Sequence, residues 1–215
     1  MHSFFERLNR RLAQPLDAGP RVMIFAAALL AMAIYIFPLW NLTMFAPQYS
    51  DGLRLDIYSY KLEGGNNGQD VKEINILNHY IGMRDLVTED FTEFKWLPFV
   101  VGALGLLYLR AAVLGTVGQL VDVLVLNAYF SAFALWSFGY KLYSYGHNLA
   151  PTAAVKIPPF MPPMFGSKQL ANFEVYSYPQ AGSYALGCAT LLLVAALFVG
   201  WRQARRIDGS GPGPR

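Results

Sequence analysis

Charged residues are scarce in this chain, and cysteine and histidine are scarcer still. Of the 215 residues, 14% are Asp, Glu, Lys or Arg, whereas an ordinary soluble domain carries about a quarter. The single cysteine, Cys188, excludes an intrachain disulfide, a cysteine-pair metal site and c-type haem attachment. The three histidines, at positions 2, 79 and 147, lie outside the long apolar runs, which argues against a bis-histidine haem within a helical bundle.

The missing charge leaves three long apolar runs. Residues 22–50 and 175–201 contain no charged residue, and residues 96–140 contain only Arg110 and Asp122. A membrane-crossing helix needs about 20 apolar residues, so the first and last runs each fit one crossing and the middle run fits two. A soluble helical core is the disfavoured alternative, because charges occur only between the runs. The sequence therefore predicts an all-α membrane protein, one polytopic domain over 1–215, with four transmembrane helices near 22–40, 97–114, 120–140 and 181–201.

Basic residues on the short connections predict the orientation. The connection 41–95 holds nine acidic and five basic residues, whereas the flanks of the first and last helices are mainly basic. By the positive-inside rule, both termini are cytoplasmic and the loops 41–95 and 141–180 face outward, across a bacterial inner membrane. These flanks account for the net charge of +3, so the expected partners are the lipid bilayer and another membrane or periplasmic protein, not nucleic acid. The flanking basic residues are Arg7, Arg10, Arg11, Arg21, Arg202, Arg205 and Arg206.

The first residues have an amphipathic pattern. Phe4, Phe5, Leu8 and Leu12 share one face of a helix over residues 2–14, and arginines occupy much of the rest. This pattern is typical of a short helix on a membrane surface. A frayed basic tail is an equally compatible interpretation.

The two outward loops predict a small extracytoplasmic cap. Residues 53–62 and 71–77 alternate partially, and GGNNGQ between them is rich in turn formers, so they are expected to form a β-hairpin. HYIGM follows at 79–83, and residues 85–96 are predicted to form a short acidic helix. The second loop contains IPPFMPPMFG, whose prolines favour polyproline II. Because an isolated hairpin is marginally stable, it is expected to pack on this proline-rich loop or on a partner protein.

Imidazole and thioether groups recur in these loops. In a helix, His79 and Met83 would share one face, and in polyproline II, Met161 and Met164 would do the same. His147 begins the second loop. Imidazole and thioether together select soft ions such as Cu(I), so the predicted metal site is drawn from these five residues. Packing is the competing interpretation, because methionine fills irregular gaps in a core.

Two segments, NHYIGM and PPMFGSKQLANFEVYSYPQAGSY, together with the four-span layout, carry a resemblance. Over most of residues 20–200 the chain resembles a group of small four-span bacterial inner-membrane proteins associated with gene sets for nitrous oxide reductase and other copper or cytochrome systems. His79, Met83 and Met164 are the positions that match. The resemblance implies a role beside a copper or cytochrome system and implies no catalytic residue.

No catalytic motif is found in the sequence. G-x-S-x-G, H-E-x-x-H and P-loop patterns do not occur. The predicted function is an integral inner-membrane accessory protein that presents its cap outside, where it binds or passes Cu(I) or supports assembly of a metalloenzyme. A structural or scaffold subunit without a metal site is the alternative, and a small transporter is the third.

Overall fold

A computed structural model describes residues 2–170 and 173–209 of the chain. The described residues form six α-helices and five β-strands. The helices are α1 His2–Leu12, α2 Ala18–Ala31, α3 Gln69–Ile81, α4 Glu93–Leu114, α5 Val117–His147 and α6 Ala181–Gly209, and a 3-10 turn, Met32–Tyr35, extends α2. The strands are β1 Trp40–Ala46, β2 Tyr49–Ile57, β3 Leu62–Gly64, β4 Gly166–Leu170 and β5 Phe173–Pro179.

Four of the helical segments are long and apolar enough to cross a membrane. They are Ala18–Tyr35, Glu93–Leu114, Val117–His147 and Ala181–Ile207. The prediction of four transmembrane helices is confirmed in this respect, and the chain is a multi-pass membrane protein by length and composition of its helices. At about 1.5 Å per residue, the 31 residues of α5 extend about 46 Å, well beyond a hydrocarbon layer of about 30 Å.

The predicted ends of three helices were wrong. The first span was predicted to reach residue 40, but its helix ends at Tyr35, and a strand begins at Trp40, just past Pro38. The third was predicted to end at residue 140 and the fourth at residue 201, but α5 continues to His147 and α6 to Gly209. These errors have one cause. The end of an apolar run marks where hydrocarbon burial ends, whereas a helix ends where its backbone hydrogen bonds are interrupted.

The chain divides into two compact units. The helical unit comprises the described residues of 1–33, 99–131 and 185–209. The sheet unit comprises Ile34–Pro98 and, apart from residues 171–172, Ala132–Tyr184. Helices α4, α5 and α6 each contribute residues to both units.

The sheet unit is built on five antiparallel strands in the order β3-β2-β1-β5-β4. Only the first strand of the predicted hairpin is confirmed, because β2 overlaps residues 53–62. Residues 71–77, the predicted second strand, lie in α3, so this part of the prediction is wrong. Asp70, Ile74 and Asn78 are the buried positions of α3, and their four-residue spacing is that of a helix face.

Helix α3 packs on one face of the sheet. The core between them contains Leu42, Leu53, Leu55, Ile74 and Val175, each at most 8% exposed. Burying an aliphatic side chain of this size stabilises a fold by about 1.5–3 kcal/mol. The central strand β1 and the hairpin β4–β5 were not predicted. Together with β2 they form the sheet face that buries α3. A lone hairpin would not provide such a face.

The predicted acidic helix over 85–96 was wrong for most of its length. The segment after α3 is extended, forms a short 3-10 turn at Thr88–Asp90, and becomes helical only at Glu93, where α4 begins. The segment 83–87 lies between α3 and α4 in the chain and is hydrogen-bonded to the end of α5.

Candidate functional site: the end of helix α5 and the segments packed on it

The HYIGM segment forms the C-terminal cap of α3. Gly82 has φ +81°, a left-handed conformation that glycine adopts without steric cost. Its N–H donates to the His79 carbonyl at 3.2 Å, and the Met83 N–H donates to the Asn78 carbonyl at 2.8 Å. This pair of bonds is the Schellman motif, which satisfies the last carbonyls of a helix. A tight turn at Gly82 is therefore present, with His79 exposed and Met83 half-buried.

Asn75 fixes the chain that follows this cap. Its side-chain oxygen accepts from the Leu86 N–H at 2.8 Å, and its side-chain nitrogen donates to the Leu86 carbonyl at 3.4 Å. The amide thus bonds both backbone groups of one residue, as a neighbouring strand would. Residues 83–87 are held against α3 as a result.

The same segment is bonded to the last turns of α5. The Arg84 guanidinium donates to Ser144 Oγ at 3.1 Å and lies 5.4 Å from the centre of the Tyr145 ring. The Tyr145 hydroxyl donates to the Asp85 carbonyl at 3.3 Å. These contacts bring a cation over an aromatic face, an arrangement that adds about 0.5–1 kcal/mol at exposed sites.

Main-chain bonds connect the cap of α3 to the loop after α5. The Ala150 N–H donates to the Gly82 carbonyl at 2.7 Å, and the Val155 N–H donates to the Tyr80 carbonyl at 2.9 Å. A Cβ at position 82 would lie 2.9 Å from the Ala150 carbonyl oxygen and 2.9 Å from the Ala153 Cβ. Gly82 is therefore required twice, for its backbone angle and for this close approach.

The proline-rich segment lies on a glycine face of α5. Gly139 and Gly146 are seven residues apart, which places them on one side of the helix. The Phe160 N–H donates to the Gly146 carbonyl at 3.0 Å, and a Cβ at position 146 would collide with the Phe160 carbonyl oxygen. The Met164 sulfur lies 3.8 Å from where a Cβ of residue 139 would stand. Methionine thus fills the space that glycine leaves open, as the packing interpretation expects.

His147 ends α5 in a defined orientation. Its Nδ1 lies 3.0 Å from the Tyr143 carbonyl oxygen, and its ring stacks on that of Tyr143 with centroids 3.8 Å apart. A carbonyl oxygen only accepts, so Nδ1 must be the protonated nitrogen. In the neutral imidazole, Nε2 then carries the free lone pair that a metal ion requires.

The five predicted ligands have different surroundings. Met83 lies between Gly82, which bonds Ala150, and Arg84, which bonds Ser144. Because His147 lies between Ser144 and Ala150, Met83 and His147 belong to adjacent segments. Met161 and Met164 belong to the proline-rich segment, and their carbonyls accept from Lys168 and Ser177 respectively. His79 is exposed on the last turn of α3. Within the part of the chain that the structure describes, no three His, Cys, Asp or Glu side chains are grouped as a metal site.

Sequence reasoning missed an aromatic stripe on α5. Phe133, Trp136, Tyr140, Tyr143 and His147 follow one another at intervals of three, four, three and four residues. The first four side chains are 48–62% exposed. The rings of Phe133, Trp136 and Tyr140 are in contact in sequence, with Trp136 and Tyr140 stacked at 5.6 Å, and Tyr143 stacks on His147. The spacing was available in the sequence, but it crosses residue 140, where the predicted span ended.

These features define a multi-pass membrane protein with a folded sheet unit. Comparisons with protein-family models, with curated proteins and with solved structures find no match to the chain.

Proposed function

We propose that this chain is an accessory protein of a bacterial inner membrane, with cytoplasmic termini and an extracytoplasmic sheet unit that supports a partner protein, a metalloenzyme by class. The basic flanks and the acidic connection 41–95 support this orientation. Reporter fusions at residues 65 and 155 are expected to be active outside the cytoplasm, and a fusion at residue 116 inside it. A cytoplasmic signal at residue 65 would overturn the proposed orientation.

The aromatic stripe is the observation that carries the accessory role. From Phe133 to His147 it extends about 21 Å along the helix. An interfacial aromatic belt is confined to the headgroup layer, which is only about 5–8 Å deep on each side. A mean spacing of 3.5 residues is instead the repeat of a helix that packs against another helix along its length. A layer about 30 Å thick that begins near Val117, the start of α5, ends near residue 137, so most of the stripe lies past it. The stripe therefore fits a helix of a partner protein at the outer edge of the membrane.

The side chains of the stripe also define the partner's surface. Every position carries a large ring, so two identical stripes would hold their helices apart. Close packing of helices against such large rings requires small residues on the facing helix. We therefore infer that the partner helix presents Gly, Ala or Ser at matching positions.

Photo-crosslinking tests this docking surface with a matched control on the same helix. Tyr140 lies on the stripe, and Leu135 is 53% exposed but lies about 140° away around α5. A photoreactive phenylalanine at position 140 is expected to give one product of discrete mass in native membranes, and the same probe at position 135 is not. The product should be lost in a Trp136→Leu variant and retained in a Leu135→Ala variant. Equal yields at positions 140 and 135 would exclude a specific docking surface.

Binding of Cu(I) is the second candidate function. It is favoured by the adjacent segments of Met83 and His147, and by the Nδ1–H···O bond that leaves His147 Nε2 free as a ligand. His79, Met161 and Met164 complete the set from which a soft-ion site would be drawn. Neutral imidazole and thioether groups bring no charge to bury, so such a site costs little to assemble.

Isosteric substitutions separate ligation from packing. Met83→Leu and Met164→Leu nearly conserve volume, so as packing changes each should cost less than about 1.5 kcal/mol. As ligand losses they should weaken Cu(I) binding strongly at unchanged folding. Binding is measured on the purified protein by competition with a Cu(I) chelator. If the wild type binds no Cu(I), or if both variants bind as tightly as the wild type, the site does not exist and the methionines only pack.

A further inference from the structure

Helix α1 is fixed to the ends of two membrane-crossing helices. The Leu16 N–H donates to the Gly115 carbonyl at 2.8 Å, and the Val117 N–H donates to the Gln14 carbonyl at 3.1 Å. Gly115 follows the last residue of α4, and Val117 is the first residue of α5. The chain just after α1 is therefore held where two apolar helices end, which is a boundary of the hydrocarbon layer.

The position of α5 at this boundary is itself well defined. Thr116 Oγ1 accepts from the Gln119 N–H, and Gln119 Oε1 accepts from the Thr116 N–H, both at 3.3 Å. This reciprocal pair is a capping box, which fixes the start of a helix. Arg21 adds bonds to the Leu16 carbonyl at 2.8 Å and to the Val113 carbonyl at 3.1 Å. The attachment of α1 is thus a rigid one.

One face of α1 is apolar, and its first two large side chains are more than half exposed. At 100° per residue, Phe4, Leu8, Leu12 and Phe5 fall within an arc of about 100°. Phe4 is 58% exposed and Phe5 is 54% exposed. Two phenylalanines left open to water would be unfavourable, but at the edge of a bilayer the same face can insert between acyl chains.

The remaining face of α1 is basic. Arg7 and Arg10 are exposed, and Arg7 borders the apolar arc. Arginine beside an apolar face extends its apolar stem along the acyl chains and places its guanidinium among the headgroups. Guanidinium groups pair with phosphate in a two-pronged geometry, and anionic lipids attract each basic residue in addition.

We propose that α1 is an anionic-phospholipid binding element, which inserts Phe4 and Phe5 into the bilayer and binds headgroup phosphates through Arg7 and Arg10. The bilayer is the occupant because the attachment of α1 to α4 and α5 places it at the membrane boundary. The arginines select anionic over zwitterionic lipids. Each arginine changes the ratio of inserted to released α1 by about fivefold at low salt, and less as salt is raised.

Fluorescence quenching on the full chain in lipid nanodiscs tests the proposal. Cys188→Ala removes the native thiol, and an environment-sensitive fluorophore is attached at Phe5→Cys on the apolar face or at Ala13→Cys, about 130° from the centre of that face. Nanodiscs contain bromine-labelled acyl chains, with phosphatidylcholine alone or mixed equally with phosphatidylglycerol. The expected result is strong quenching at position 5 and weak quenching at position 13. Quenching at position 5 should rise with phosphatidylglycerol, and the rise should be lost in an Arg7→Gln/Arg10→Gln variant.

Four results would each overturn the proposal. Equal quenching at positions 5 and 13 would mean that α1 does not insert by its apolar face. Equal quenching at position 5 in both lipid mixtures, or no effect of the arginine substitutions, would mean that α1 does not bind anionic lipid. A fluorophore at position 5 that neither brominated lipid nor aqueous iodide quenches would mean that protein covers this face.

Discussion

Replacement of Gly82 by alanine is expected to detach the cap of α3 from the loop after α5. Alanine at φ +81° costs about 1–2 kcal/mol in backbone strain. The new Cβ would also stand 2.9 Å from the Ala150 carbonyl oxygen and from the Ala153 Cβ, so the backbone must separate. Loss of the 2.7 Å bond from Ala150 then adds about 2 kcal/mol, because it leaves a buried carbonyl unpaired.

Gly68→Ala is a matched control for this experiment. Gly68 has φ +86°, and a Cβ there meets nothing within 4 Å, so only the backbone strain applies. Amide hydrogen exchange at Met83, Ala150 and Val155, measured on the full chain in nanodiscs, reports the local opening. Exchange should be about 30-fold faster in Gly82→Ala than in Gly68→Ala, the factor that about 2 kcal/mol implies. Equal exchange in the two variants would refute the argument that close approach, and not strain alone, requires glycine at position 82.

Two further predictions concern hydrogen-bonded tyrosines. The Tyr49 hydroxyl donates to Glu73 at 2.6 Å, which lowers the pKa of Glu73 and raises that of Tyr49. The bond therefore stabilises the sheet unit fully above the ordinary carboxyl pKa and is lost as pH falls through the lowered value. Tyr49→Phe should raise the pKa of Glu73, measured by carboxyl NMR titration, and an unchanged pKa would show that the bond is absent. In the helical unit, Tyr108 donates to Asn127 at 2.6 Å, and Tyr108→Phe should destabilise the unit by about 1 kcal/mol; an unchanged unfolding midpoint in mixed micelles would contradict this.

The membrane-crossing helices could be predicted because their signal is local. A charge-free run of sufficient length has one stable solution in hydrocarbon, a helix that satisfies its own backbone. The same signal did not predict the strand Trp40–Ala46, because this stretch continues the apolar run of the first helix without a charge. An apolar run alone does not separate strand from helix. Pro38 and the β-branched and aromatic residues after it were the available evidence for a strand.

The sheet could not be predicted because its pairing is not local. Strand β1 pairs with β5, and Trp40 stands opposite Pro179 across most of the chain. The Trp40 indole N–H also donates to Ser177 Oγ at 2.8 Å. Nothing in either segment alone specifies the other, and neither carries a strong hairpin turn. The glycine face of α5 is a similar case. The role of Gly139 and Gly146 depends on the proline-rich segment that packs on them, and that segment is distant in the sequence.

The NHYIGM motif separates into residues that the fold needs and residues that it does not. Asn78 supplies the carbonyl that Met83 bonds, and Gly82 supplies the left-handed turn and the close approach to Ala150. These positions are explained by the cap of α3 and by its contact with the loop after α5. His79 is exposed and Tyr80 is 55% exposed, so neither is required for packing. The buried members of the motif thus set a rigid turn, and its exposed members hold an imidazole and a phenol group at a fixed position.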